Sequence, residues 1–119
     1  MVYVGVDLHW RFCCLIALDA SGQVLWQGQL AHDAASLQSY FGRWIEPVEV
    51  AVEACSFWLA VVNAMQPQVA RVVLVHAQQV KAITSAKLKN DRVDSATVAH
   101  LLRTNLLPEA WMADPATKP

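Results

Sequence analysis

Val2-Tyr3-Val4-Gly5-Val6-Asp7 is a short apolar run, rich in β-branched residues, that stops at a carboxylate. Such a run predicts a strand. Apolar residues on both of its faces predict a central one, covered above and below. Residues 11–18 and 23–30 predict two further strands, separated by the turn cluster Asp19-Ala20-Ser21-Gly22. Leu8-His9-Trp10 makes the first turn. Connections this short predict an antiparallel meander. From His32 the apolar period lengthens. Asp33 can cap a helix running to about Trp44, with Leu37, Tyr40, Phe41 and Trp44 on one stripe. Pro47 ends that region, and residues 48–53 form a second apolar run ending in a carboxylate, Glu53. Ser56 can cap a helix carrying Trp58, Leu59, Val62 and Met65, closed by Pro67. Residues 69–75 read as a fifth strand and 78–86 as a helix. Lys87-Leu88-Lys89-Asn90 is a basic, polar break. Residues 91–103 form a last helix that packs through Val98, Leu101 and Leu102. The tail, 108–119, holds three prolines and reads as extended.

The expected order is therefore βββαβαβαα. The first, fourth and fifth strands are parallel, because helical crossovers join them. Asp7 then lies at the carboxyl end of a central strand, where open α/β sheets place their ligands.

Length and composition narrow the picture. A chain of 119 residues is one domain by the usual prior and buries roughly two thirds of its unfolded surface. Hydrophobic residues make up 55% and charged residues only 16%, against about 25% in typical domains. Either the core is unusually full, or apolar surface is covered by another domain or a second copy. Cys13, Cys14 and Cys55 have no CxxC spacing and read as buried thiols in a reducing compartment. Neither a signal peptide nor an apolar run of ~20 residues is present, so the expected location is cytoplasmic, with no membrane.

The acids carry the candidate chemistry. Gly5 and Asp7 share one face of the first strand, and Ala51 and Glu53 share one face of the fourth. If those strands are parallel neighbours, they lie about 4.8 Å apart, and Asp7 and Glu53 stand side by side. Beneath them Gly5 and Ala51 leave a hollow that a helix can enter. The last helix suits it: Asp91 and Asp94 share a face in its first turn, and the small residues Ser95 and Ala99 continue near that face. Four carboxylates in one place repel. Hard divalent cations, Mg²⁺ or Mn²⁺, relieve the repulsion through oxygen ligands. Two such ions about 4 Å apart serve phosphodiester chemistry. Each acid also has a plain reading. Asp7 can begin a turn, Glu53 can be a solvated strand end, and Asp91 and Asp94 can cap a helix.

Val4-Gly5-Val6-Asp7, Val52-Glu53-Ala54 and Lys89-Asn90-Asp91-Arg92-Val93-Asp94 together resemble the DEDD transposases of bacterial insertion sequences. The resemblance spans residues 2–107. It implies an α/β, RNase H-like (RuvC-like) fold: a mixed five-stranded sheet of order 3-2-1-4-5 with helices on both faces. Carried over residue by residue, the family's catalytic and metal-binding tetrad falls on Asp7, Glu53, Asp91 and Asp94. The activity implied is Mg²⁺-dependent cleavage and strand exchange of DNA, guided by a structured RNA from the element. Cys55-Ser56-Phe57 stands where family members have glycines. The family's catalytic serine belongs to a second, C-terminal domain, and Ser56, Ser85 and Ser95 are not candidates for it. On this reading residues 1–107 are the N-terminal catalytic domain and 108–119 lead towards the missing one.

Net charge is −1, which argues weakly against a nucleic-acid binder. Setting aside four metal-bound acids turns the remainder positive. Lys81, Lys87, Lys89 and Arg92 cluster around the acidic helix and are candidate phosphate contacts, or a solvated loop. His9 and His76 also follow or end strands near this edge; each has a site reading, outweighed by that of a plain polar loop or strand-end residue. Two alternative functions follow from the same residues. One is a non-catalytic dimerisation or assembly module using the apolar surface and the five Trp. The other is a stand-alone RuvC-like junction nuclease. A homo-oligomer is expected under the transposase reading as well.

Overall fold

Residue alternation along six strands decides how this molecule is layered. A computed structural model describes residues 1–31, 33–53, 58–75, 95–107 and 111–113, the side chains of Trp58 and of 111–113 excepted. The strands are β1 (Val2–Leu8), β2 (Cys13–Leu18), β3 (Val24–Leu30), β4 (Val48–Glu53), β5 (Arg71–Val75) and β6 (Trp111–Ala113). They form one sheet in the order β3-β2-β1-β4-β5-β6. β1, β2 and β3 are antiparallel neighbours, and β1, β4 and β5 are parallel. The expected 3-2-1-4-5 arrangement is present. The difference lies at its edge: within the tail read as extended, β6 pairs antiparallel with β5. The unpaired edge of β5 is covered in this way.

Local chemistry shapes the connections. Asp19 Oδ1 accepts from Ser21 N at 2.9 Å, Ser21 Oγ at 2.7 Å and Gln23 N at 2.9 Å, which closes the β2–β3 turn. These donors, the Ser21 hydroxyl first, hold the Asp19 carboxyl below its ordinary pKa. Gly22 takes φ +93° there, a conformation that disfavours a side chain. Helix α1 (Ala34–Phe41) starts as expected, with Asp33 accepting from Ser36 N at 2.8 Å. It ends earlier than expected, at Gly42, a poor helix former. Trp44 falls outside the helix but still packs, half-buried, on the same core. Helix α2 (Trp58–Met65) runs into a 3₁₀ turn, Gln66–Gln68, that accommodates Pro67. Helix α3 (Ser95–Arg103) ends in a Schellman motif. Leu106 N donates to Leu101 O at 2.9 Å and Asn105 N to Leu102 O at 3.1 Å, with Asn105 at φ +59°. The helix expected at 78–86 and the first turn expected at 91–94 lie outside the described residues.

The two faces of the sheet bury different partners. Val2, Val4 and Val6 of β1, Val50 and Val52 of β4, and Leu15 of β2 form one core with Leu37, Tyr40 and Phe41 of α1 and Val61, Val62 and Met65 of α2. On the other face Ala51, Val73 and Val75 meet Val98 and Leu102 of α3, while Ile16 and Leu18 meet Ala99. Helices thus lie on both faces. Cys13 is buried in the first core and Cys14, one residue on, is half-buried.

α3 sits directly on Gly5. A Cβ at that position would overlap the Ser95 carbonyl oxygen and stand 2.8 Å from Ala99 N and 3.0 Å from Ala99 Cβ. The obstacle is main chain, which cannot rotate aside. Gly5→Ala is therefore expected to cost about 3 kcal/mol or more, the upper end of overpacking penalties, read as a lower denaturant midpoint. Gly28→Ala is the contrast. Its Cβ would meet only the half-exposed Trp26 ring, at 2.9 Å, and the midpoint should move much less.

Candidate functional site

The carboxyl ends of β1 and β4 carry two acids on the α3 face of the sheet. Asp7 is one residue from the end of β1, on the face of Gly5, and only 7% exposed. Glu53 is the last residue of β4 and half-buried. The β1–β4 register runs through Gly5↔Ala51 and Val6↔Val52. That register, continued by one residue, would set Asp7 beside Glu53, on strands about 4.8 Å apart. The hollow beneath is made by Gly5 and Ala51, and α3 fills it.

The direction of α3 matters as much as its closeness. Its first residue, Ser95, lies over Gly5. At its far end Arg103 donates from Nη1 to Ala20 O at 3.4 Å, and its guanidinium packs against Gly22. That turn adjoins the start of β1, since Tyr3 pairs with Leu18. α3 therefore runs antiparallel to β1 and begins at the Asp7 end. Asp91, Asp94, Lys81, Lys87, Lys89 and Arg92, expected beside this edge, lie outside the described residues. Among the described residues no group of three or more His, Cys, Asp or Glu side chains could hold a metal ion. The described donors are two carboxylates, both hard oxygen ligands.

His9, read from sequence as a plain polar residue, touches Asp7. Its Nε2 lies 3.0 Å from Asp7 Oδ2. Its ring stacks on Phe12, with centroids 4.5 Å apart and planes 15° from parallel. The main chain fixes both ends of this turn, because His9 N donates to Phe12 O at 2.9 Å. The spacing Asp-x-His-x-x-Phe at the end of a strand is the signal that could have found it. His100 is exposed on α3, its Nδ1 3.5 Å from Arg103 Nη2.

The thiol of Cys13 is inert by position. Burial first, then the charges of Cys14 and Asp7, push its pKa up from 9.0 to about 12. An open depression lined by Leu30, Ser36, Ser39, Tyr40 and Arg43 lies at α1 and holds no acid. It is on the side of the sheet opposite Asp7. Among the described residues no helix is long and apolar enough to cross a membrane.

Comparison with known families gives a match over nearly the whole chain. The family model of DEDD transposases of the IS110 type, described as transposase, matches residues 4–116. No curated protein matches the chain.

Cys13 yields a prediction with a definite sign. Its folded pKa lies above its unfolded value, so its contribution to stability is complete below about pH 9 and is lost as pH rises towards 12. Denaturation midpoints of the wild type should fall across that window. Cys13→Ala should flatten the fall. In native protein at pH 8 a thiol reagent should modify Cys14 and leave Cys13 intact until unfolding.

Proposed function

The chain belongs to the DEDD transposase family, and from that premise we propose that it is the metal-binding catalytic domain of a DNA transposase. The observation that supports this reading best is the seating of α3 on Gly5. It starts a helix at the Asp7 end of β1, on the face that carries both strand-terminal acids. Asp91 and Asp94 directly precede that helix in the chain and complete the proposed set with Asp7 and Glu53. An all-oxygen set of this kind fits Mg²⁺ or Mn²⁺. The chemistry such ions supply is activation of an attacking oxygen and stabilisation of a leaving one in phosphodiester cleavage.

The protein's own residues have separate roles in this proposal. Asp7 and Glu53 hold the cations from the sheet, and Asp91 and Asp94 hold them from the helix side. Lys81, Lys87, Lys89 and Arg92 hold DNA phosphates beside them. Removing the acids' charge by metal binding lets a chain of near-zero net charge accept a polyanion. Strand exchange on this reading calls for the serine of a second domain, a guide RNA from the element, and further copies of the chain. Trp10, Ile45, Leu59 and Leu106 are large apolar side chains exposed here, and they support coverage by such partners.

Calorimetric titration with Mn²⁺ tests the site. Asp7→Asn and Glu53→Gln should each weaken binding by more than the roughly 10–100-fold that loss of an outer-shell partner costs. Equal heats for Asp7→Asn and wild type would refute the metal site. For the phosphate contacts, Lys89→Gln should weaken binding of unrelated DNA sequences to the same degree. It should also reduce the slope of log affinity against log salt by about one.

A further inference from the structure

His9 lies two residues beyond Asp7 and is held from three directions. Its backbone N–H is bonded to Phe12 O at 2.9 Å. Its ring lies nearly flat on the Phe12 ring. Its Nε2 stands 3.0 Å from Asp7 Oδ2. Against an ionised carboxylate, which only accepts hydrogen bonds, the donor in this contact is Nε2–H. The stacking removes the freedom of the ring to turn away. Asp7 is 7% exposed, and a carboxylate with so little water around it takes its orientation from its protein partners.

We propose that His9 is a positioning residue for Asp7. It donates Nε2–H to one carboxylate oxygen and so fixes the rotamer in which Asp7 meets a divalent cation. His9 takes one of the roughly four lone-pair sites that a carboxylate offers. Outer-shell donors of this kind orient ligating carboxylates and tune their affinity. Phe12 is the second half of the device, because it sets the plane of the ring. The inference rests on the reading of Asp7 as a metal ligand.

Two variants separate the donor from the stack. His9→Phe keeps an aromatic ring on Phe12 and removes the donor. His9→Gln keeps an N–H at similar reach and removes the ring. Mn²⁺ titration by calorimetry at one pH should show His9→Phe weakened about 10–100-fold, with its denaturation midpoint near that of wild type. His9→Gln should stay within about threefold of wild type, the conservative rescue expected of a donor role. Long-range ¹H–¹⁵N spectra of the metal-free wild type should show a proton held on His9 Nε2, and Asp7→Asn should disturb that signal. Unchanged affinity in His9→Phe, or a neutral ring protonated on Nδ1 instead, overturns the positioning role while leaving Asp7 as a ligand. The opposite ranking, with His9→Gln weak and His9→Phe intact, shows that His9 acts only through packing on Phe12 and overturns it too. A wild type that takes up no Mn²⁺, or Asp7→Asn binding as well as wild type, removes the metal reading and this inference with it.

Discussion

The contact between the α3 backbone and Gly5 is the constraint on which the site depends. In most sheets a covering helix stands off by the length of the side chains between the two layers, at roughly 10 Å. Here the strand under the helix has no side chain at the crossing point, and the helix answers with Ser95 and Ala99. Main chain therefore meets main chain. The approach fixes the height of α3 above the sheet and, through Ser95, the point along β1 at which the helix begins. A larger residue at position 5 would lift that start away from Asp7, and the layers would lose their common edge.

That same closeness explains the pattern of burial on this face. The opposite face is filled by valines, leucines and aromatic rings from two helices. The α3 face is divided into two smaller clusters, one with Ala51 and one with Ala99. Gly5 and Ala51, the residues two before the acids on this face, are small, while Val75 pairs with Glu53. An acid at 7% exposure would be destabilised by loss of water unless something donates to it. His9 is one such donor, and Asp7 has further contacts of its own. A fold that selected only for stability would more simply place an apolar residue at position 7.

Much of this was legible in the residues. Short apolar runs specified five strands, their connections specified which are antiparallel and which parallel, and the family resemblance implied the order. Asp33 announced α1, and Gly5 over Ala51 announced the hollow. Those signals are local, or depend on one register between neighbouring strands. What was not legible depends on longer or subtler relations. The end of α1 turned on Gly42 outweighing an apolar stripe that continues to Trp44. β6 pairs across the sheet edge with a strand some forty residues earlier, and three residues among prolines carry almost no periodic signal. His9 was passed over because a single histidine in a turn has many innocent explanations. Only the stacking on Phe12 and the 3.0 Å contact distinguish it.

The family match and the fold bear on function at different depths. The match covers residues 4–116 and identifies the class of protein. The fold shows how two of the acids come to one edge of the sheet. β1 and β4 are parallel and adjacent, so their carboxyl ends open on the same side. α3 is antiparallel to β1, so its beginning faces those ends. Reversing any one of these directions would separate the helix start from the strand ends by the length of β1, seven residues, or roughly 20 Å at strand rise. No side chain spans that distance. Strand order and helix direction therefore do what no single residue can: they bring the carboxyl ends of β1 and β4 and the start of α3 to one edge of the sheet.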